Sequence, residues 1–375
     1  LAWYVLLPTT QYRLRRALIQ RNYPDANQYR RPVFPLQFAE SSPVQRTYYL
    51  YRLSTSQGTL AEIYRKEDAP WRTSAIVSDG VIYVADGKAL YALRGTFGEK
   101  EKMYEISGDN TALYLVNSAD DGVYTVRFND ETDYSQDMQV SKFNPVQKTV
   151  NSFATLRPGI YESPSMVIPG EYPTLITGGG DGCGGGHRVL QYRDGDQKQI
   201  AWFGEGCAEG PRYIGVMNDT TKLLAASPLS PIDGENGPFY CNYDVLYSHD
   251  IKSGGVMPII DMKPIPGCIR DMTYDRVTNH AAIVTDATIY IVDVAKAAVV
   301  KTLANADAHP YNFSQYGGLL VSYTDEPGDK HITVTDIMKE ASVDVSWDYR
   351  YGRFPSFVGR IDDDILISTY ETRTR

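Results

Sequence analysis

The sequence after residue 46 is a succession of short apolar segments separated by turn residues, and this pattern constrains the fold most. The segments recur with a period of about 40–55 residues, and each period contains four strand candidates. Six complete units follow one another along the chain. Their ranges are 72–106, 112–154, 164–203, 212–261, 269–303 and 311–347.

Two strand candidates are left over at each end of this series. "TYYLYRL" and "TLAEIYR" lie within 47–65, and "PSFVGR" and "DILISTY" lie within 355–370. Together they complete a seventh unit, because a propeller can close its ring by pairing the two ends of its chain. The sequence therefore predicts an all-β fold, a seven-bladed β-propeller in which N-terminal strands complete the last blade. A pair of β-sandwiches or a solenoid would not explain the divided unit.

Composition agrees with one large β unit. The 375 residues include 29 Tyr, 31 Gly and 21 Pro, so strand formers and turn formers are both abundant. Chain length alone would suggest two or three domains, but all-β rings commonly exceed that size as one domain.

Two segments, "TIYIVDVAKAAVVKTL" (288–303) and "HITVTDIMKEASVDVSW" (331–347), carry a family resemblance. Each has an apolar-x-apolar-Asp strand, a short turn and a second strand. In this they resemble the repeats of the YVTN/quinoprotein-like propellers. The resemblance covers two of the seven units and implies a propeller fold. The Gly-His and Trp-Asp pairs of WD40 repeats and the aspartate boxes of sialidases are missing.

Residues 1–46 differ from the rest of the chain. Residues 1–23 contain the apolar stretch "LAWYVLLP" and then "TTQYRLRRALIQRNY", for which we predict a short helix, capped at Thr10, at a membrane surface. An ordinary N-terminal helix packed on the domain is the alternative. Residues 24–46 are rich in proline and predict an extended linker, and residues 47–375 form the propeller domain.

Charge is distributed unevenly along the chain. Residues 1–46 hold seven Arg against two carboxylates and carry a net charge of about +5. Since the whole chain carries −9, the remaining residues carry about −14. The acidic body argues against nucleic acid as a partner, since phosphate binding needs clustered Lys and Arg. A basic, apolar arm favours an anionic membrane surface.

The four cysteines occupy equivalent positions in neighbouring units. Cys183 and Cys241 lie between the second and third strands of units three and four, and Cys207 and Cys268 lie in the link to the following unit. These positions emerge on one face of a propeller, which predicts disulfides Cys183–Cys207 and Cys241–Cys268, each worth about 3 kcal/mol. Disulfides indicate an extracytoplasmic, oxidising compartment. Arginine-rich flanks favour the cytoplasmic side, so the side of the membrane stays open. Four free buried thiols in a cytosolic protein are the alternative.

The glycine-rich stretch 177–187, "TGGGDGCGGGH", suggests two kinds of ligand site. A phosphate loop would require Gly-Lys-Ser/Thr and a following helix, and a zinc site would require further closely spaced Cys or His ligands. Neither accompanies the stretch, so we interpret it as a long, side-chain-poor loop that needs unusual φ angles and is linked to the next unit through Cys183. An anion site formed by its backbone N–H groups is the alternative.

The start of each innermost strand would line the central channel, where propellers usually bind ligands. That ring consists of Arg72, Asn110, Glu162, Arg212, Arg270, His309 and Arg353. Asn110, Glu162 and His309 could ligate a metal, but four arginines in the same ring repel a cation. A polar, water-filled channel is the simpler interpretation, and the sequence assigns no catalytic residue, cofactor or metal.

Two functions follow from these patterns, with a soluble propeller that binds a small molecule over the channel arginines as a third possibility. The first is a non-catalytic scaffold or accessory subunit of a membrane-associated assembly, binding a protein partner through its loop face. The second is an extracytoplasmic propeller enzyme, either a quinoprotein-like dehydrogenase or a metal-dependent lactonase or hydrolase. Two sequons, at 218–220 and 312–314, match the N-glycosylation pattern, and two matches are close to the number expected by chance.

Overall fold

The structure is a computed structural model. It describes a set of segments that begins at residue 44 and ends at residue 374: 44–70, 73–94, 99–108, 111–128, 137–157, 163–178, 186–193, 196–204, 211–228, 243–305, 310–326, 329–347 and 355–374. The predicted N-terminal helix and most of the predicted linker lie outside the described residues. Gln45–Thr374 form one compact unit.

The described residues form β-strands and no helix. In chain order the strands are β1 (Val44–Ser54), β2 (Thr59–Glu67), β3 (Ser74–Ser78), β4 (Val81–Asp86), β5 (Ala89–Arg94), β6 (Glu99–Glu105), β7 (Ala112–Ser118), β8 (Tyr124–Phe128), β9 (Met138–Asn144), β10 (Thr149–Leu156), β11 (Ser163–Ile168), β12 (Thr174–Gly178), β13 (Gly186–Arg193), β14 (Asp196–Gly204), β15 (Arg212–Val216), β16 (Lys222–Pro228), β17 (Tyr243–Asp250), β18 (Val256–Asp261), β19 (Ile269–Asp275), β20 (His280–Thr285), β21 (Thr288–Asp293), β22 (Ala298–Ala304), β23 (Pro310–Tyr316), β24 (Leu319–Glu326), β25 (Asp329–Asp336), β26 (Ala341–Ser346), β27 (Ser356–Ile361) and β28 (Asp364–Thr374).

From β3 onward, every four consecutive strands form an antiparallel sheet in sequence order. These sheets are β3–β6, β7–β10, β11–β14, β15–β18, β19–β22 and β23–β26. Two of them are joined at their first strands, because β7 and β11 pair in parallel at Asn117–Met166 and Ser118–Val167. Short turns between most successive strands favour the antiparallel order.

The remaining strands form a sheet with the order β2-β1-β28-β27, which we call the closing sheet. The prediction that residues 47–65 lie beside 355–370 is therefore confirmed. Side chains strengthen the junction: Arg52 Nε lies 2.5 Å from Asp364 Oδ2, and the Tyr49 hydroxyl donates to Glu371 Oε2 at 2.9 Å.

A buried apolar cluster fills each interface between consecutive sheets. At one end of the series, Leu50 and Leu366 of the closing sheet pack with Val84 of β4. At the other, Leu53 of the closing sheet packs with Tyr323 of β24. Burying a leucine side chain contributes about 1.5–3 kcal/mol. Since the last sheet packs on the first, the sheets close into a ring, and the fold is a β-propeller.

Strand direction defines two ends of this ring. The turns between the first and second strands of each sheet lie at what we call the hairpin end. The connections between second and third strands, and the links to the next sheet, lie at the opposite end, which we call the loop end. Residues 179–185 and 229–242 both connect strands at the loop end. β1 begins and β28 ends there as well.

Candidate functional site

Two of the seven predicted channel residues lie among the described residues. Arg212 is the first residue of β15 and Arg270 is the second residue of β19, so both lie at the loop end of an innermost strand. That they line a central channel stays a prediction. The other five lie outside the described residues: Arg72, Asn110, Glu162, His309 and Arg353.

One carboxylate links three innermost strands at this end of the ring. Asp271 of β19 forms an ion pair through Oδ1 with Arg212 of β15. Its Oδ2 accepts a hydrogen bond from the backbone N–H of Phe313 in β23 at 3.4 Å. The side chains of Arg212 and Asp271 are about three-quarters buried, 24% and 23% exposed. The pair therefore joins three sheets and compensates the arginine charge.

Arg270 is also paired. Its Nε lies 2.5 Å from Asp286 Oδ1, and both side chains are nearly half exposed. An anion at either arginine would compete with a carboxylate that is already in place. This geometry favours a structural role over an anion site for these two residues.

At the hairpin end, one side chain reaches across the ring. Arg276 follows β19, and its guanidinium donates to the backbone oxygen of Ala119 and, at 2.7 Å, to Asp121 Oδ1. Ala119 and Asp121 belong to the turn between β7 and β8, three sheets away. The backbone oxygen of Asp121 also accepts a hydrogen bond from Ser78 Oγ at 2.5 Å. The contacts join three sheets at the hairpin end. They were not predicted from the sequence, because the Arg276–Ala119 contact alone spans 157 residues.

Aromatic side chains fill the interface between sheets β11–β14 and β15–β18. The rings of His187 and Tyr213 lie 5.0 Å apart, and Phe203 lies 5.9 Å from Tyr213 and 6.0 Å from His249. Burial raises the pKa of Tyr213 and lowers that of His249, because desolvation penalises each charged form. The strands that flank loops 179–185 and 229–242 thus share a packed, uncharged interface.

Of the four cysteines predicted to form disulfides, the structure describes Cys268. Cys268 is disulfide-bonded. Cys183, Cys207 and Cys241 lie outside the described residues, so the pairs Cys183–Cys207 and Cys241–Cys268 stay predictions. The tip of the glycine-rich loop, 179–185, also lies outside them.

Exposed apolar residues on the outer strands were not anticipated from the sequence. Val256 and Met257 of β18 are 59% and 58% exposed, Val299 and Val300 of β22 are 40% and 46% exposed, and Trp202 of β14 is 40% exposed. We call these five residues the apolar rim. The signal in the sequence is the consecutive apolar pair, because a strand with one buried face should alternate.

Within the described segments, no group of three or more His, Cys, Asp or Glu side chains converges on a metal-sized space. The same segments contain no helix with the length and hydropathy needed to span a bilayer.

The chain is similar to solved propeller-like structures at low identity. An oligogalacturonate lyase from Vibrio parahaemolyticus is 10% identical with a TM-score of 0.47, covering 73% of this chain and 79% of its own. Saccharomyces cerevisiae Sqt1 is 9% identical with a TM-score of 0.42, covering 80% and 95%. A putative TolB from Agrobacterium tumefaciens is 11% identical with a TM-score of 0.43, covering 87% and 99%.

No family model matches the sequence, and no curated protein matches it. The fold assignment is that of a β-propeller in general and rests on the sheet order described above. The resemblance to the YVTN repeats stays a prediction.

Proposed function

We propose that the chain is a seven-bladed propeller that acts without catalysis as a scaffold or accessory subunit of a membrane-associated assembly. In this proposal the six sheets β3–β26 and the closing sheet are the seven blades. The partner is a protein that binds at the loop end.

One observation carries the proposal: the strands that flank the two glycine- and proline-rich segments 179–185 and 229–242 belong to neighbouring sheets with a closely packed interface. β12 and β13 flank residues 179–185, β16 and β17 flank residues 229–242, and their sheets are neighbours. The interface beneath them is closely packed, with Ile176, Val189 and Leu223 all fully buried. Loops on a rigid scaffold are the usual location of binding residues.

The ion pairs at the loop end support a binding role over channel chemistry. Arg212 and Arg270 hold Asp271 and Asp286, so their charge stabilises the ring rather than a ligand. The apolar rim supplies a second surface for a larger assembly, since exposed apolar patches commonly mark interfaces.

Location is part of the proposal. The disulfide at Cys268 supports an oxidising, extracytoplasmic compartment. The basic, apolar residues 1–23 would hold the propeller at the membrane surface, with residues 24–46 as the linker.

The test compares complexes formed in native membranes. The chain and a variant with residues 231–240 replaced by a Gly-Ser linker would be cross-linked, solubilised and sized on native gels. We expect the loop variant to lose the high-mass complex while keeping its melting temperature. Val146→Ser at the hairpin end is the matched control, because Val146 is 89% exposed and should not affect assembly.

If the loop variant forms the same high-mass complex, the partner does not bind through this segment of the loop end. Loss of the complex in Met257→Ser instead would assign binding to the apolar rim. A stoichiometric metal or a quinone absorption band in the purified chain would favour the alternative function, a propeller enzyme.

A further inference from the structure

The turn between β15 and β16 contains an acceptor pattern for N-linked glycans, Asn218-Asp219-Thr220. The Asn218 side chain is exposed at the hairpin end. The backbone of the turn is fixed, because the N–H of Thr220 donates to the Met217 oxygen at 3.0 Å. The N–H of Asn218 donates to the Tyr274 hydroxyl of the neighbouring sheet at 3.3 Å. Asn218 is therefore presented to solvent from an ordered turn.

Thr220 adopts a backbone conformation that is unfavourable for its residue type. Its φ is 55°, in the left-handed region, where a β-branched side chain is strained. The equivalent turns of four other sheets carry an Asp or Asn with positive φ. They are Asp79 (48°), Asp121 (54°), Asn279 (56°) and Asp362 (52°).

Asp and Asn tolerate this conformation because their short side chains hydrogen-bond locally. Among the non-glycine residues of positive φ in the described segments, Thr220 is the one with a β-branched side chain. Strain that persists at one position of a repeated turn indicates a requirement for that side chain. A hydroxyl two residues after an exposed Asn is the requirement of a glycan acceptor.

We propose that Asn218 is an N-glycosylation site. The donor is an oligosaccharide linked to a polyprenyl diphosphate. The amide nitrogen of Asn218 forms a bond to the anomeric carbon and loses one proton, while the bond from that carbon to the diphosphate breaks and the polyprenyl diphosphate leaves. This proposal rests on the extracytoplasmic location in the proposed function.

The second sequon, 312–314, lies in a strand rather than in an exposed turn. Asn312-Phe313-Ser314 lies within β23, the innermost strand of its sheet. Phe313 is only 8% exposed and packs between sheets, and its N–H is bonded to Asp271. Because the strand packs at the centre of the ring, we expect no glycan there.

Glycosylation at Asn218 has a consequence for partner binding. The glycan would cover the hairpin end of sheet β15–β18, whereas the proposed partner binds at the loop end of the same sheet. A glycosylated propeller is therefore still able to form the proposed complex.

The experiment uses the whole chain behind a cleavable secretion signal in a eukaryotic host. Secreted protein would be treated with an N-glycosidase, and the peptides would be analysed by mass spectrometry. We expect one glycan, at Asn218, that is lost in Asn218→Gln and retained in Thr220→Ser. Ser314→Ala removes the other sequon and should leave the mass of the glycan unchanged.

Thr220→Asn separates the acceptor role from a structural one. We expect it to abolish the glycan and, because Asn tolerates positive φ, to raise the melting temperature above that of the deglycosylated parent chain. A lower melting temperature would show that Thr220 is kept for stability and would overturn the strain argument.

Different results would contradict the glycan at Asn218 and the extracytoplasmic location. Secreted protein with intact disulfides and an unmodified Asn218 would overturn the glycan alone. Reduced cysteines in protein from its native source would overturn the location and the glycan with it.

Discussion

The closing sheet and the sheet β19–β22 have the same four-stranded architecture but different chain connectivity. Sheet β19–β22 is continuous from Ile269 to Ala304, whereas the closing sheet joins Val44–Glu67 to Ser356–Thr374. The Tyr49–Glu371 hydrogen bond alone spans 322 residues. Bringing distant segments together costs loop-closure entropy before any contact forms. Similar packing is therefore reached through local contacts in one sheet and non-local contacts in the other, which predicts that the closing sheet forms late.

The largest effect should come from deleting half of the closing sheet. Removal of residues 1–67 exposes the edge of β28 and the faces packed against Leu50 and Leu53, which are fully buried. We expect loss of the cooperative thermal transition, measured by circular dichroism. Removal of residues 1–43 is the control and should keep the transition, because Gln45–Thr374 form the compact unit. Equal melting of both variants would show that ring closure is dispensable.

Single core truncations compare the two sheets directly. Leu53→Ala and Ile291→Ala each remove a side chain that is 0% exposed, and each should cost about 2–5 kcal/mol in denaturant unfolding. If the closing sheet forms late, Leu53→Ala mainly accelerates unfolding and Ile291→Ala slows refolding more. The reverse pattern in stopped-flow kinetics would contradict the late closure.

One ion pair in each sheet allows a third comparison, with a smaller expected effect on the free energy of unfolding. The Arg52 and Asp364 side chains are 25% and 18% exposed, whereas Arg270 and Asp286 are 47% and 45% exposed. Arg52→Ala should cost about 1 kcal/mol and Arg270→Ala only roughly a few tenths, since exposed pairs are weak. Salt screens exposed charges more strongly, so the loss of unfolding free energy in Arg270→Ala should disappear at a lower salt concentration than the loss in Arg52→Ala. Equal losses of unfolding free energy for the two variants in urea denaturation would show that the Arg52–Asp364 pair of the closing sheet stabilises no more than the exposed pair.

The smallest effect is a pH dependence at a third interface, outside both sheets. Desolvation lowers the pKa of His249 in the folded state, while the unfolded value is about 6.5. The unfolded chain therefore binds more protons, and the unfolding free energy falls as pH decreases through about 6.5. His249→Phe should flatten this dependence in urea titrations at several pH values. An unchanged slope would mean that other groups cause it.

Much of the strand order could be predicted from the sequence, because turn residues and apolar segments repeat locally. The pairing of 47–65 with 355–370 followed from the count alone. Arg212 and Arg270 lie at the start of their strands, but whether they line a channel stays a prediction. Their partners Asp271 and Asp286 were not predicted, since the pairing depends on register and side-chain direction, between two sheets for Arg212–Asp271 and within one sheet for Arg270–Asp286.

The apolar rim shows a second limit of sequence analysis. Strict alternation would bury one of Val299 and Val300 and expose the other. The register shifts between Ile291 and Val292, so that Val299 faces Val292, Lys301 faces Ile291 and Val300 is the additional residue of a β-bulge. Both valines are consequently exposed. Bulge positions depend on the partner strand, and no local pattern specifies them.

Arg276 joins opposite walls of the ring at the hairpin end, tied to Ala119 and Asp121. An arginine–aspartate ion pair therefore bridges the ring at that end, with its two charges compensating each other. Any solute passing through the ring at the hairpin end would have to pass this bridge.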